Sequence, residues 1–224
     1  MPRQLSFDLP VREALGRDDF FVSPANAAAV AMVEGWQGWP AGKLLLLGPE
    51  GAGKTHLAHV WAALSGAGIV AAASLATANI PALASGHVAV EDCAAVAGDT
   101  DAEKALFHLH NLTLAEGNAL LLTASPPPRD WGLALPDLAS RMQGTPSVSI
   151  APPDDALLSA VLMKLFADRQ LAPGPAVIPY LATRIDRSFA SARAVVRALD
   201  TAALEKGRPI TVKLAGQVLD KLAT

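Results

Sequence analysis

The chain has 224 residues, of which 51% are hydrophobic, and it carries a net charge of −3 with an isoelectric point near 5.9. This length accommodates one ordinary domain plus a smaller one, and the mild acidity argues against a protein whose main activity is coating nucleic acid. The single cysteine, Cys93, excludes an internal disulfide framework, and its place behind an apolar run favours a small core residue over a nucleophile. Because no apolar run is long enough for a signal peptide or a membrane span, we expect a soluble, cytoplasmic protein.

Strand and helix patterns alternate along the first two thirds of the chain. A polar tail extends to about Asp18, and a helix is predicted from Ala25 to Trp36. Short apolar runs typical of buried strands stand at residues 43–47, 68–72, 87–90, 119–123 and 147–150. Helical periodicity fills most of the gaps, notably between Ala102 and Glu116. Strands that alternate with helices predict an α/β fold with a parallel sheet covered on both faces.

The pattern becomes entirely helical after Ala151. Pro152 and Pro153 interrupt the chain there, and Asp154 is placed to cap a helix that begins near Ala156. We therefore predict three segments: a tail over residues 1–18, an α/β domain over 19–150, and a small helical lid domain over 151–224.

A glycine-rich loop follows the first predicted strand and precedes an apolar helix. It fits the pattern G-x-x-x-x-G-K-[ST] at every fixed position, with the residues Gly48, Pro49, Glu50, Gly51, Ala52, Gly53, Lys54 and Thr55, and His56 comes next. Glycines let backbone N–H groups approach phosphate oxygens, and the helix N-terminus adds partial positive charge. In such a phosphate loop Lys54 reaches the β- and γ-phosphates, and the Thr55 hydroxyl binds Mg²⁺. The alternative is a glycine-rich turn that happens to carry Lys-Thr.

An acidic pair, Glu91 and Asp92, follows the third apolar run. A phosphate-loop enzyme needs an acid at the end of a neighbouring strand to hold Mg²⁺ and to polarise the attacking water. Either acid could be that ligand, and the alternative is a solvated pair at a strand end. Aspartate usually comes first, and the extra methylene of Glu91 shifts the carboxylate, so we expect slow intrinsic hydrolysis.

Further polar residues stand where they could contact a nucleotide. Thr123 and Ser125 end the fourth apolar run, where a hydroxyl can sense the γ-phosphate, although such residues also simply terminate strands. Arg141 stands outside an apolar helix face, either as a catalytic arginine or, more commonly, as a solvated surface residue. Arg193 and Arg197 share a helix face, so that one of them could fold back onto the nucleotide.

From Phe20 onward these motifs, in this order, resemble the AAA+ family and, within it, the replication initiator DnaA. The family implies bound ADP or ATP with Mg²⁺, and its segment corresponding to residues 20–26 packs against the adenine, here through Phe21 and Val22. The resemblance also implies roles for the Walker B acids Glu91 and Asp92, the sensor 1 residues Thr123 and Ser125, the arginine finger Arg141 and the sensor 2 residue Arg193. The implied metal ligands are Thr55 and Glu91.

The N-terminal tail resembles the short peptide by which replication proteins bind the DNA polymerase sliding clamp. Gln4 is the residue expected at the rim of the clamp pocket, and Leu5, Phe7 and Leu9 are expected to fill it. Taken alone, these residues are more typical of a disordered amphipathic tail, because such short motifs are frequent by chance. DnaA continues into a helix-turn-helix domain, and we expect none here because this sequence ends at Thr224.

A clamp-binding tail on one DnaA-like module is similar to the Hda group of regulators. The resemblance implies a protein that binds the sliding clamp and DnaA and promotes hydrolysis of DnaA-bound ATP, with weak ATPase activity of its own. It also implies self-association through the AAA+ interface, contact with DNA only through the clamp, and no membrane contact. The alternatives are a helicase-loader-like AAA+ ATPase and a non-enzymatic adaptor that nucleotide merely stabilises.

Overall fold

The computed structural model describes residues 20–206 and 209–222 of the chain. The strands are β1 (Lys43–Leu47), β2 (Gly68–Ala71), β3 (Val88–Glu91), β4 (Leu120–Ala124) and β5 (Ser147–Ser149). They form one five-stranded parallel sheet in the order β2-β3-β4-β1-β5. The predicted α/β fold is confirmed, and the ends of every predicted strand lie within one residue of the observed ends.

The helices lie before β1, in the gaps between the strands, and after β5, where the described chain contains helices and loops only. They are α1 (Ala27–Glu34), α2 (Lys54–Ser65), α3 (Ile80–Ala84), α4 (Thr100–Ala115), α5 (Pro136–Gln143), α6 (Asp155–Asp168), α7 (Val177–Ala182), α8 (Phe189–Lys206) and α9 (Val212–Leu222). Helix α1 is shorter than predicted because a turn precedes it. The Asn26 carboxamide accepts from the Ser23 N–H at 2.8 Å and donates to the Phe21 carbonyl at 2.8 Å.

Both faces of the sheet are covered by apolar layers. Strand β1 contributes Leu44 and Leu46 to the layer that contains α1 and α2, and Leu45 to the layer that contains α3, α4 and α5. All three leucines are fully buried. Burial on both faces explains why the sequence of β1 is an uninterrupted leucine run rather than an alternating pattern.

A third apolar cluster is formed by helices α6 to α9 and the segments that join them, and it includes Phe166 and Val195. Residue 151, where the sequence predicts a domain boundary, lies in the link between β5 and α6. The Asp154 carboxylate accepts from the Leu157 N–H at 2.7 Å, so the predicted N-terminal cap of α6 is confirmed. No helix in the described part of the chain is both long and apolar enough to cross a membrane.

Candidate nucleotide-binding site

The phosphate loop joins β1 to α2 at the carboxyl edge of the sheet, where β1 lies between β4 and β5. Gly51 and Gly53 adopt left-handed backbone conformations, with φ of 72° and 100°. A side chain is strained in that region, so these two glycines are required by the turn itself. The loop ends directly at the first turn of α2, which points the helix N-terminus at any anion held by the loop.

The Lys54 side chain is folded into the loop and is only 7% exposed. Its ammonium donates to the carbonyls of Gly48 at 2.8 Å and Pro49 at 3.0 Å, and to the Ser125 hydroxyl at 3.1 Å. Burial lowers the pKa of Lys54, and the charges of Asp92, Glu50 and Glu91 oppose this effect. The ammonium is therefore held where an incoming phosphate can replace the two carbonyls as its partner.

Thr55 and Glu91 have surroundings that fit a magnesium ion. Thr55 is exposed in the first turn of α2, and Glu91 ends β3, two strands away from β1. The Oε1 atom of Glu91 is buried and has no hydrogen-bond partner among the described residues. An unpaired buried carboxylate oxygen is costly unless a cation or a water binds it. Among the described residues, no group of three or more histidine, cysteine or acidic side chains could hold a metal ion. The residues that would contact Mg²⁺ beside a bound nucleotide are Thr55 and Glu91.

The two hydroxyls that end β4 have different partners. Thr123 is 1% exposed and its Oγ1 accepts from the Asp92 N–H at 3.0 Å, across the β3–β4 pair. Ser125 contacts Lys54 instead. Thr123 thus stabilises the turn after the acidic pair, in which Asp92 has a φ of 54°, while Ser125 faces the phosphate loop. The sequence alone did not separate these two roles.

The segment before α1 brings an aromatic residue onto the phosphate loop. Phe20 is buried and packs edge-to-face on His56, with ring centroids 5.0 Å apart. Phe21 and Val22, the predicted adenine contacts, are 38% and 49% exposed. These two side chains lie outside the core, where a ligand can reach them.

Helix α8 contacts the phosphate loop directly, whereas the sequence analysis expected only that Arg193 or Arg197 of this segment could reach the nucleotide. The Phe189 N–H donates to the Gly51 carbonyl at 2.9 Å. A Cβ added at Gly51 would lie 3.0 Å from the Cβ of Ala190, and one added at Gly53 would lie 3.2 Å from the Phe189 ring. No local pattern signals this contact, since it joins residues far apart in the sequence. Arg193 follows one turn later on α8 and is partly buried.

Arg141 lies near the end of α5, the helix that precedes β5. It is exposed on α5, whose Leu138 and Met142 are fully buried, as the sequence predicts. Burial lowers the pKa of Lys43, and the nearby charge of Arg141 lowers it further. Lys43 begins β1, whereas the phosphate loop follows the other end of this five-residue strand, roughly 15 Å away. The arginine therefore lies towards the amino edge of the sheet, away from the loop.

Two remaining predictions concern residues away from these motifs. Cys93 is fully buried, and burial raises the pKa of its thiol to about 12, so it is an inert core residue as predicted. The tail residues Gln4, Leu5, Phe7 and Leu9 lie outside the described residues.

Solved structures of nucleotide-binding proteins share this architecture. The chain is similar to domain III of the replication initiation protein DnaA from Thermotoga maritima, with a TM-score of 0.79 and 18% identity over 95% of this chain and 98% of that one. It is similar to AMPPCP-bound DnaA from Aquifex aeolicus, with a TM-score of 0.71 and 17% identity over 87% of this chain and 67% of that one. The FIGL-1 AAA domain in complex with ADP gives a TM-score of 0.68 and 14% identity, over 90% of this chain and 82% of that one. No protein-family model matches the sequence.

The chain shares its fold with the FIGL-1 AAA domain. More particularly, the fold is that of DnaA domain III, followed over nearly the whole length of both chains.

Proposed function

We propose that this chain is an Hda-like regulator of replication initiation. It binds adenine nucleotide, docks on the DNA-loaded sliding clamp through its N-terminal tail, and promotes hydrolysis of the ATP held by DnaA. The fold of DnaA domain III supports a module that packs beside DnaA, since like modules present complementary surfaces. Self-association would use the same surfaces, and contact with DNA would come only through the clamp.

The observation that carries this proposal is the position of Arg141. Arg141 is exposed near the end of α5, the helix that leads to the amino end of β5, whereas the phosphate loop lies at the carboxyl edge of the sheet. The planar guanidinium of Arg141 can instead reach the nucleotide of a neighbouring module and stabilise the charge on the transferred phosphoryl group. We therefore assign Arg141 as the arginine finger that acts on DnaA-bound ATP.

The chain's own nucleotide has a structural and regulatory role in this proposal. AMPPCP and ADP are the ligands in the DnaA and FIGL-1 structures, which supports ADP or ATP here. Backbone N–H groups of the phosphate loop and Lys54 would bind the phosphates, and Phe21 and Val22 would contact the base. Arg193 would sense the nucleotide from the lid. Bound Mg²⁺ would neutralise phosphate charge, with Thr55 and Glu91 as its protein ligands.

The test measures hydrolysis of DnaA-bound ATP in the presence of clamp, DNA and either the wild-type chain, Arg141→Ala or Arg141→Lys. We expect both variants to lose at least about tenfold in stimulation, because an ammonium cannot bridge two phosphate oxygens as a guanidinium does. Arg129→Ala is the matched control, since its side chain is 79% exposed in the same α/β part.

The outcomes separate this proposal from its competitors. Full stimulation by Arg141→Ala, with ADP and clamp binding unchanged, would favour a non-enzymatic adaptor. Rapid ATP turnover by the isolated wild-type chain would favour an independent, helicase-loader-like ATPase.

A further inference from the structure

An apolar groove of about 620 Å³ runs along the lid between α8 and α9, on the flank of α8. Its floor is formed by alanines of α8, including Ala194 and Ala198, and by Leu214 and Val218 of α9. The alanines recur every four residues, so they form one ridge of small side chains along the helix. Such a ridge allows another helix to approach α8 closely.

The charged residues that line this groove all carry positive charge. They are Arg193 and Arg197 of α8 and Lys221 of α9. Among the described residues, no acidic side chain lines the groove, although the chain as a whole has a net charge of −3. A cationic rim around an apolar floor, on an otherwise acidic protein, favours an occupant that is apolar on one side and negatively charged at its edges.

We infer that this groove, which we call the lid groove, binds an acidic amphipathic helix of a partner protein. The apolar face of that helix packs on the alanine ridge, and its flanking Glu and Asp side chains pair with Arg197 and Lys221. A nucleic acid fits less well, because the described lining offers no aromatic side chain on which bases could stack, and phosphates would leave the apolar floor exposed. This inference does not depend on the function proposed above.

The experiment measures fluorescence anisotropy of a labelled synthetic helix of about 20 residues with a leucine face flanked by glutamates. A sister peptide carries lysines in place of the glutamates. The full chain is compared with the double variant Arg197→Glu/Lys221→Glu and with Ala194→Trp, which fills the groove at an exposed position. Arg193 is left unchanged because it is a predicted nucleotide contact. The matched control, Lys104→Glu/Arg129→Glu, makes the same charge change at two exposed cations outside the lid.

We expect saturable binding of the glutamate peptide that is weakened at least about tenfold by the lid double variant and by Ala194→Trp, and unchanged by the control. The lid double variant should also come to prefer the lysine peptide. Thermal unfolding of all variants, followed in parallel by circular dichroism, shows whether they are folded.

Three results would overturn the inference. One is an equal loss of binding in the control, which would indicate nonspecific charge attraction. Another is displacement of the peptide by a thymidine oligonucleotide at lower concentration than by unlabelled peptide, which would indicate a nucleic-acid site. The third is tighter binding of a synthetic peptide of residues 1–19, which would make the chain's own tail the occupant.

Discussion

Lys54 illustrates how one side chain can be prepared for a ligand by the backbone around it. Its ammonium already occupies the interior of the phosphate loop, bound to two carbonyls and to Ser125. Lys54→Ala removes the cation that would bind the β-phosphate, and we expect ADP affinity to fall at least about tenfold, or about 1.4 kcal/mol. Calorimetry with the wild-type chain and the variant checks this.

Lys104→Ala, at a side chain that is 64% exposed on α4, is the control for the loss of one positive charge. Equal ADP affinity in wild type and Lys54→Ala would remove the phosphate loop from the binding site.

For Glu91, the sequence predicted both the type of residue and its place at the end of a strand. Its place after an apolar run was enough to predict an acid at the end of a strand, and the structure adds that one carboxylate oxygen is buried without a described partner. Burial of a single atom depends on how β3, β4 and the loop pack together, so no pattern of neighbouring residues could have predicted it. The sequence also could not predict that the Asp92 N–H donates to the hydroxyl of Thr123 and not to that of Ser125.

At the scale of an element, α5 is held in place by a buried carboxylate. Glu103 of α4 is 1% exposed and accepts from the N–H groups of Gly98, Ala134 and Leu135, at 3.3, 3.1 and 2.7 Å. Leu135 is the residue that precedes α5, the helix that carries Arg141. Glu103 therefore positions the start of this helix relative to α4.

The free energy of unfolding should depend on pH through the Glu103 carboxylate. Burial raises the pKa of Glu103, but the backbone donors outweigh burial and leave the pKa below its ordinary value of 4.5. A lowered folded-state pKa stabilises the protein at pH values above the unfolded-state pKa, and this contribution is lost as the pH falls through the folded-state pKa. We expect Glu103→Gln to reduce the free energy of unfolding by about 2 kcal/mol at neutral pH, because an amide cannot accept from all three donors.

Urea unfolding at a series of pH values measures this effect. The difference between wild type and Glu103→Gln should shrink as the pH falls below 4.5, and Glu116→Gln, an exposed residue at the end of the same helix, should show no such dependence. A difference that stays constant with pH would mean that the charge of Glu103 does not stabilise α5.

The elements themselves were predictable where local pattern and tertiary packing agree. The leucine runs of β1 and β4 are buried on both faces, and strands of that kind are recognised by continuous apolar character and by their length. The start of α2 was predicted two residues late, at His56, because Lys54 and Thr55 belong to both the phosphate loop and the first helical turn. Element ends depend on such overlaps, which a periodicity search does not resolve.

At the scale of the whole molecule, the tail and the folded module should act as independent parts. Gln4→Ala/Leu5→Ala should abolish binding to the sliding clamp and leave ADP affinity and thermal stability unchanged, since a terminal binding peptide adds nothing to a core. Surface plasmon resonance on immobilised clamp measures the binding. Ser6→Ala is the control within the same segment. Clamp binding that survives the double change would show that the tail is not the docking peptide.

At this scale, the sequence could not predict the direct contact between Phe189 of the lid and Gly51 of the phosphate loop. The sequence identifies the element to which each residue belongs, since Gly51 lies in the glycine-rich motif and Phe189 begins a periodic helix. Their pairing depends on how the helical cluster of α6 to α9 is set against the sheet, which is a property of the complete fold.

The first residue of α8 therefore touches the phosphate loop, while the flank of the same helix forms one wall of the lid groove. Because a helix is stiff, a nucleotide that displaced the first turn of α8 through this loop would also displace the wall of the groove. Thermodynamic reciprocity then requires that a groove occupant alter nucleotide affinity by the same factor by which the nucleotide alters the affinity of the occupant. Exchange of the nucleotide at the phosphate loop would then change the affinity of the lid groove for a bound partner, with α8 as the connecting element.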